Sequence, residues 1–402
     1  MNKAILCIGG SELQLPTLTW AKQAGLRVLL TDASPEPPGR QLADVFAQIS
    51  GDDVEALVGY AQEQSTSSRI VSAYCGSDFG LQSVALVNQA LGLAGLNPTA
   101  VKTSLHKANA NRVLRNAGIP VPDGRILKAN ENPPTEALRY PLIVKPVDGS
   151  GSRGVTRVEN ADQLEFALQT ARAVNSEILI EQLVEGEHLD VNGFFVAGRF
   201  FPGGQLARYF SPPPHCYPVW GYQPPDMQPD EQKGIYRVLE EAARALGLDW
   251  GPVKADIILG PEGPTIIEVT PRFHGDVSTS FVCPLAHGVS PVQLWMKWLA
   301  DAELPPTTLF SQSDQKAGWA GIFPTEVGTI QAIQGVESVR SMPGIASILL
   351  RRSTGWKVER LDDNRAVIGF LFATGADAFE LRDRLTSGLS QIHVHVSKES
   401  TA

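Results

Sequence analysis

Short apolar runs alternate with amphipathic stretches through the first hundred residues. "KAILCIG", "RVLLTD" and "RIVSAYC" are continuous apolar runs of strand length, rich in β-branched residues. Between them "QLPTLTWAKQAG", "DVEALVGYAQEQ" and "GLQSVALVNQALG" carry helical spacing, the first closed by Gly25. This βαβαβα order predicts a parallel sheet with helices on both faces. A strand, Gly9-Gly10, a helix and Asp32 at the end of the next strand resemble a dinucleotide site. However, "GGSELQ" lacks the G-x-G-x-x-G spacing that admits a pyrophosphate, so the region is expected to be a scaffold.

The pattern then changes. "TSLHKANANRVLRNAGIPVPDG" predicts one helix ended by Gly118 and released by Pro120 and Pro122. Strands dominate from 140 to 200, with a helix at "ADQLEFALQTARA". Residues 202–229, rich in Pro, Gly and aromatics, show neither period and are expected to be a functional or mobile loop. "DEQKGIYRVLEEAARALG" restores a helix, and "SPVQLWMKWLA" predicts another with Ser290 as its cap and Pro291 in first position. After a polar break, "LPPTTLFSQSDQK", a last α+β region has short strands and a helix near "DAFELRDRLTSGL".

The length of 402 residues suits two or three cores. A net charge of −9 leaves no basic surplus for phosphate backbones, which argues against a nucleic-acid partner. No apolar run reaches membrane-spanning length, and "MNKAILCIGG" reads as a first strand and not as a secretory signal. Cys7, Cys75, Cys216 and Cys283 are too scattered for a zinc motif or a disulfide framework. A cytoplasmic, multidomain protein is expected.

Two stretches carry candidate chemistry. In "VKADIILGPEGPTIIEVTPR" the turn residues are symmetric about Glu262. A hairpin folded there sets Asp256 opposite Glu268 and Lys254 opposite Thr270 on one face, with Ala255, Ile257, Ile267 and Val269 on the other. Two such carboxylates repel by roughly 3 kcal/mol at an effective dielectric near 20. A divalent cation relieves that, and oxygen-only ligands favour Mg²⁺. A different register would instead turn both acids to solvent. The second stretch, "YPLIVKPVDGSGSRGVTRVEN", reads as strand, glycine loop, strand. Its Gly149–Gly154 amides are able to close over phosphates, with Lys145 on the strand leading in. The alternative is a glycine-rich hairpin with a surface lysine.

With "HKANANRVLRNAGIPVP", "ILIEQLVEGEHLDV" and the α/β opening, these pieces together resemble the ATP-grasp superfamily of carboxylate–amine ligases, including its L-amino acid ligases. The resemblance covers nearly the whole chain. It implies an α/β fold with a Rossmann-like pre-grasp domain (1–103), an ATP-grasp α+β domain carrying the nucleotide and metal site (104–304) and a smaller C-terminal α+β lobe (311–402). It further implies that ATP is held by Lys107, Lys145 and the flap Gly149, Ser150, Gly151, Ser152 and Gly154. Glu181 would accept from the adenine amino group, and the backbone of Gln182, Leu183 and Val184 would meet the ring edge. Glu187 would take the ribose, one residue early, because His188 stands where the family has a carboxylate. Asp256 and Glu268 would ligate one or two Mg²⁺ ions, with Mn²⁺ able to substitute. Thr270 stands where the family often has asparagine, so a hydroxyl or a water would take that ligand's place at the second ion. Arg272 and Lys145 would be catalytic, with His274, Gly275, Tyr217 and Trp220 towards substrate. The implied reaction joins a small-molecule carboxylate to an amine through an acyl phosphate, releasing ADP and phosphate, and a homodimer is the expectation by analogy. Phosphorylation of bicarbonate, as in biotin carboxylases, and non-catalytic nucleotide binding are the alternatives.

Overall fold

The computed structural model describes residues 1–129, 131, 133, 138–275, 277–306, 310, 313 and 315–397, so part of the polar break expected at 304–316 lies outside the described residues. Among the described residues no helix is long and apolar enough to cross a membrane.

The chain opens with β1 (Lys3–Ile8), α1 (Leu15–Gln23), β2 (Arg27–Asp32), β3 (Val45–Gln48), α2 (Val54–Ser65), β4 (Arg69–Tyr74) and α3 (Leu81–Ala90). The four strands form a parallel sheet in the order β3-β2-β1-β4. Apolar cores cover both faces, which is why β1 and β2 read as unbroken apolar runs. The short edge strand β3 has no such run and was not expected. The Gly9-Gly10 turn is closed by the chain itself. Asp32 accepts from the Gly10 amide at 2.7 Å, and the Gly39 amide donates to the Gly10 carbonyl at 2.7 Å.

The helix expected over 103–117 is two helices, α4 (Pro98–Leu105) and α5 (Lys107–Asn116). They part at His106, which leaves helical geometry (φ −100°, ψ 98°) and accepts at Nδ1 from the Asn109 amide at 3.3 Å. The break starts a new helix at Lys107.

A four-stranded sheet follows, ordered β5-β8-β6-β7, from β5 (Gly124–Leu127), β6 (Leu142–Pro146), β7 (Thr156–Val158) and β8 (Ile178–Gln182). The helix α6 (Leu164–Arg172) packs Leu164, Ala167, Leu168 and Ala171 against one face of it.

The next elements are β9 (Glu187–Val196), β10 (Arg199–Phe210), β11 (Pro218–Gln223), α7 (Pro229–Ala245), β12 (Gly251–Gly260) and β13 (Gly263–Thr270). Residues 202–229 are thus largely paired strand, contrary to the loop expected. A bulge between Pro202 and Gln205, with Gly204 at φ 98°, breaks the alternation and hides the strand period. A π-helical turn (Val277–Val282), α8 (Cys283–His287) and α9 (Pro291–Asp301) come next, and Ser290 caps α9 as expected, its Oγ accepting from the Val292 amide.

The last segment holds β14 (Lys316–Ile322), β15 (Gly328–Gln334), α10 (Val336–Arg340), β16 (Ile345–Leu350), β17 (Lys357–Val358), β18 (Gly369–Gly375), α11 (Ala378–Gln391) and β19 (His393–Ser397). It shares a sheet with the preceding segment: the order is β13-β12-β9-β10-β11-β14-β18-β16, and β11 pairs directly with β14. The largest core lies under this sheet against α7 and α11. Phe194, Phe201 and Phe273 cover its other side and meet Trp295 of α9 and Leu18 of α1. Each such buried aromatic contributes about 1.5–3 kcal/mol, which ties the first domain firmly to the large sheet.

Candidate active site

A cleft of about 710 Å³ separates the four-stranded sheet from the large one. Residues 76–79 of the first domain and Arg351 and Asn364 of the last segment also line it.

On one side β6 and β8 run antiparallel, Lys145 beside Leu179 and Ile143 beside Glu181. Lys145 is buried and ion-paired to Glu181 at 2.5 Å, and the other Glu181 oxygen accepts from Asn111 of α5 at 2.8 Å. Glu181 therefore positions the lysine, and both of its oxygens are engaged within the protein. The next two amides are also taken, Gln182 by the Asp123 carbonyl and Leu183 by that of Pro141. Lys107, first residue of α5, reaches across to the Gly149 carbonyl at 2.9 Å.

The loop between β6 and β7 is exposed at Gly149, Ser150 and Gly151. Gly149, Gly151 and Gly154 have φ of 105°, 71° and 72°, and Ser152 has 58°, so the turn is built on the left-handed region. Gly154 also lies against α6, where an added Cβ would stand 3.2 Å from Ala171 Cα. Beyond the loop, Thr156 bridges to His215 and the Arg157 amide donates to the Pro214 carbonyl.

On the facing side the hairpin pairs Lys254 with Thr270 and Asp256 with Glu268. The turn is centred one half-residue earlier than the mirrored sequence suggests. Gly260 pairs with Gly263, and a bulge after Asp256 absorbs the difference. As a result Ile266 enters the core, while Ile267, expected on the buried face, lines the cleft.

The two carboxylates sit among cations. Lys254 Nζ lies 3.1 Å from Asp256 Oδ1 and 3.5 Å from Glu268 Oε1, and Thr270 donates to Glu268 Oε1 at 3.0 Å. Arg208 of β10 bridges Asp256 and Asp190, and His274 Nε2 lies 2.6 Å from Asp256 Oδ1. Burial alone would raise both carboxyls. Arg208 and Lys254 hold Asp256 well below the usual range, and Lys254 and Lys107 lower Glu268. Burial likewise opposes the Lys254 charge, but the two acids more than offset it and keep the ammonium protonated. Burial lowers His274, which its carboxylate neighbours only partly counter. Asp190, Asp256 and His274 offer ligand atoms within 4.8 Å of one another.

Past Thr270, Arg272 meets Asp78 of the first domain in a two-bond fork. Asp78, Asp190, Arg208 and Asn111 were not singled out from sequence. Signals existed for two of them: Asp78 follows the carboxyl end of parallel strand β4, where ligands of such sheets gather, and Asp190 interrupts an apolar run.

The cleft brings together Lys107, Lys145, Gly149, Ser150, Gly151, Ser152, Glu181, Gln182, Leu183, Val184, Asp256, Glu268, Arg272, His274 and Gly275. Four expected residues do not line it, one of them Gly154, which packs against α6. Glu187 points to the opposite face of β9, towards Asp226 and Glu231, and the cleft position is His188, whose ring packs on Phe210. Trp220 stacks on Tyr209 at 4.1 Å, under Arg382 of α11, because strand alternation gives the cleft to Arg208 and Phe210 instead. Tyr217 packs on Phe323 outside the lining, between Cys216 and Pro218, which do line it. All four cysteines are free.

Residues 138–280 match the ATP-grasp domain family, and residues 321–397 match the L-amino acid ligase C-terminal domain 2. A D-alanine–D-alanine ligase of Verminephrobacter eiseniae is 30% identical over 240 residues, 54% of this chain and 71% of that protein. Uncharacterized protein y4rH of Sinorhizobium fredii is 27% identical over 335 residues, 81% of this chain and 68% of that one. Further relatives are matched over only 34% and 22% of their length. The crystal structure of L-amino acid ligase from Bacillus licheniformis superposes with a TM-score of 0.84 at 20% identity, covering 99% of this chain and 100% of that one. Fold, cleft and relatives agree: the chain belongs to the ATP-grasp superfamily and is an ATP-grasp ligase.

Proposed function

We propose that the protein joins a carboxylate to an amine at the expense of ATP, through an acyl phosphate, releasing ADP and phosphate. The observation that carries this reading is the convergence on one cleft of Lys107, Lys145 and the glycine loop from one side and Asp256, Glu268 and Arg272 from the other. Lys107, Lys145 and the loop amides would hold the phosphates, with Ile143, Leu183 and Val184 against the base.

The donor set suits Mg²⁺. Asp256 and Glu268 are about a quarter exposed, at 25% and 24%, whereas Lys254 lies behind them at 4%. Their carboxylates therefore open to the cleft as hard oxygen ligands, while Thr270 is buried and its hydroxyl donates to Glu268. When bound, the ion would supply charge neutralisation at the phosphates. The remaining work falls to side chains. Arg272 is fixed by Asp78 through Nε and Nη2 and by the Phe273 carbonyl through Nη1. Its remaining N–H groups would meet the charge that moves from the acid to the transferring phosphoryl group. Lys145 is preset by Glu181 and needs little reordering.

The chemistry runs in two steps. A carboxylate oxygen attacks the terminal phosphorus and ADP leaves. The amine nitrogen then attacks the acyl carbon, phosphate leaves with that oxygen, and the nitrogen loses a proton to solvent. Release of ADP and phosphate should require Mg²⁺ and an acid–amine pair drawn from an amino-acid panel. Release with bicarbonate alone would favour a carboxylase, and nucleotide binding without release a non-catalytic role.

A further inference from the structure

The glycine loop is met from outside its own sheet at two places. At its tip, a Cβ added to Gly151 would stand 3.9 Å from the Cβ of Asn364 in the last segment. Past the loop, Thr156 bridges to His215 and the Arg157 amide donates to the Pro214 carbonyl at 3.0 Å, although β7 is the edge strand of its sheet. Both places join the small sheet to parts of the protein across the cleft. Residues 211–217 form a strap between β10 and β11, and Asn364 lies between β17 and β18.

Each contact stands on a built support. Asp363 is buried, accepts from the Arg365 amide at 2.9 Å and from its guanidinium at 2.6 Å, and meets Arg360 at 3.3 Å. The Ala366 amide donates back to the Asp363 carbonyl at 3.1 Å and closes the turn. Asn364 therefore has a fixed place in the cleft lining, and its carboxamide makes no hydrogen bond among the described residues. The strap is closed as well, Ser211 Oγ donating to the His215 carbonyl at 2.9 Å and the Ser211 amide to the Tyr217 carbonyl at 2.8 Å. Tyr217 packs on Phe323 at 5.3 Å, so the strap also leans on the last segment. Asp363 has no part in the reaction drawn above; fixing Asn364 against the loop gives it one.

Resting on the reading that the loop covers the phosphates, we propose that Asn364 is a positioning residue of the nucleotide site and acts through the glycine loop. Its carboxamide holds the Gly151 tip while the strap holds β7, so the last segment sets how firmly the loop closes. A loop with three glycines in the left-handed region loses much backbone entropy on ordering, and a contact made only in the closed state shifts that balance. Loss of one hydrogen bond at the tip changes the closed fraction by roughly 2- to 10-fold.

The test uses the full chain and two independent readouts. Asn364→Ala should speed tryptic cleavage after Arg153 in the nucleotide-free protein by roughly 2- to 10-fold. It should raise the KM for ATP by a similar factor with a smaller change in kcat, and Asn364→Gln, which keeps the carboxamide, should recover part of both. Gly151→Cys combined with Asn364→Cys sets two thiols at disulfide spacing. The pair is made in a Cys216→Ala background, because Cys216 lines the same cleft, with Gly151→Cys alone as the control for its φ of 71°. Oxidised after loading with Mg²⁺ and a fluorescent ATP analogue, the pair should retain the analogue through gel filtration and release it on reduction. Unchanged cleavage and KM in Asn364→Ala, with a cysteine pair that does not crosslink, overturns the latch and leaves the ligase reading intact. Faster cleavage in Asn364→Ala, in a protein that binds no ATP analogue, keeps the latch and overturns the nucleotide reading. If Asn364→Ala fails to fold, the cysteine pair decides alone, and no crosslink under oxidant overturns the latch.

Discussion

Arg272 and Asp78 form a two-bond fork, Nε to Oδ1 at 2.6 Å and Nη2 to Oδ2 at 2.9 Å, although 194 positions separate them in the chain. The pair joins the parallel-sheet domain to the strand that carries Glu268. It also fixes the plane of a guanidinium that faces the cleft. Burial alone would raise the Asp78 carboxyl, but Arg272 brings it down to about 2.

That depression sets the sign of a pH dependence. An acid with a lowered folded-state pKa stabilises above its unfolded value near 3.8 and loses that contribution as pH falls towards 2. Asp78→Asn should therefore cost on the order of 2 kcal/mol at pH 7, and the difference from wild type should shrink as pH falls from about 4 to about 2. Urea denaturation across that range measures it. A difference independent of pH would mean that the carboxylate charge contributes nothing.

Lys254 spans the two acids expected to receive metal. Lys254→Met removes the competing ammonium, so Mn²⁺ should bind the nucleotide-free protein about ten-fold more tightly, a change of roughly 1.4 kcal/mol. Electron paramagnetic resonance of free Mn²⁺ reads this directly. Unchanged affinity would show that metal and lysine do not share the site.

Glu181→Gln keeps an acceptor for Asn111 but leaves Lys145 buried without its counter-charge. Breaking such a pair typically costs about 3–5 kcal/mol. The variant should melt lower and bind ATP more weakly, because Lys145 loses the partner that orients it. Wild-type ATP affinity in a folded Glu181→Gln protein would remove that positioning role.

The glycine loop should close on nucleotide. Arg153 is exposed at its tip, so trypsin should cut there in the free protein and much more slowly with Mg²⁺ and an ATP analogue. Equal rates in both conditions would exclude phosphate contact by the loop.

Much of this fold was legible because local pattern and tertiary role agree. The apolar runs of β1, β2 and β4 are buried on both faces, and Ser290-Pro291 starts α9 as its capping chemistry requires. The Asp256–Glu268 pairing was legible from the mirrored turn, although a bulge, invisible in the residue pattern, is what preserves it. Where pattern failed, backbone irregularity was the cause. The Pro202–Gly204 bulge disguised β10, and the His106 kink split a helix that sequence joins. Glu187 and Trp220 were misassigned to the cleft because facing depends on register, and a single residue reverses it. Asp78 and Arg208 were missed for another reason: each acquires its role from a partner distant in sequence. No local window contains Asp78 with Arg272, or Arg208 with Asp190.

The central claim is that a carboxylate is phosphorylated in this cleft, and the fate of its oxygen tests that claim most directly. With an ¹⁸O-labelled acid substrate, ATP, Mg²⁺ and an amine, one labelled oxygen should leave in the released phosphate, alongside ADP in equal amount. Arg272→Lys, which keeps the charge but loses the planar fork, should lower kcat strongly with little change in ATP affinity. Label in AMP, with pyrophosphate as co-product, would contradict the account.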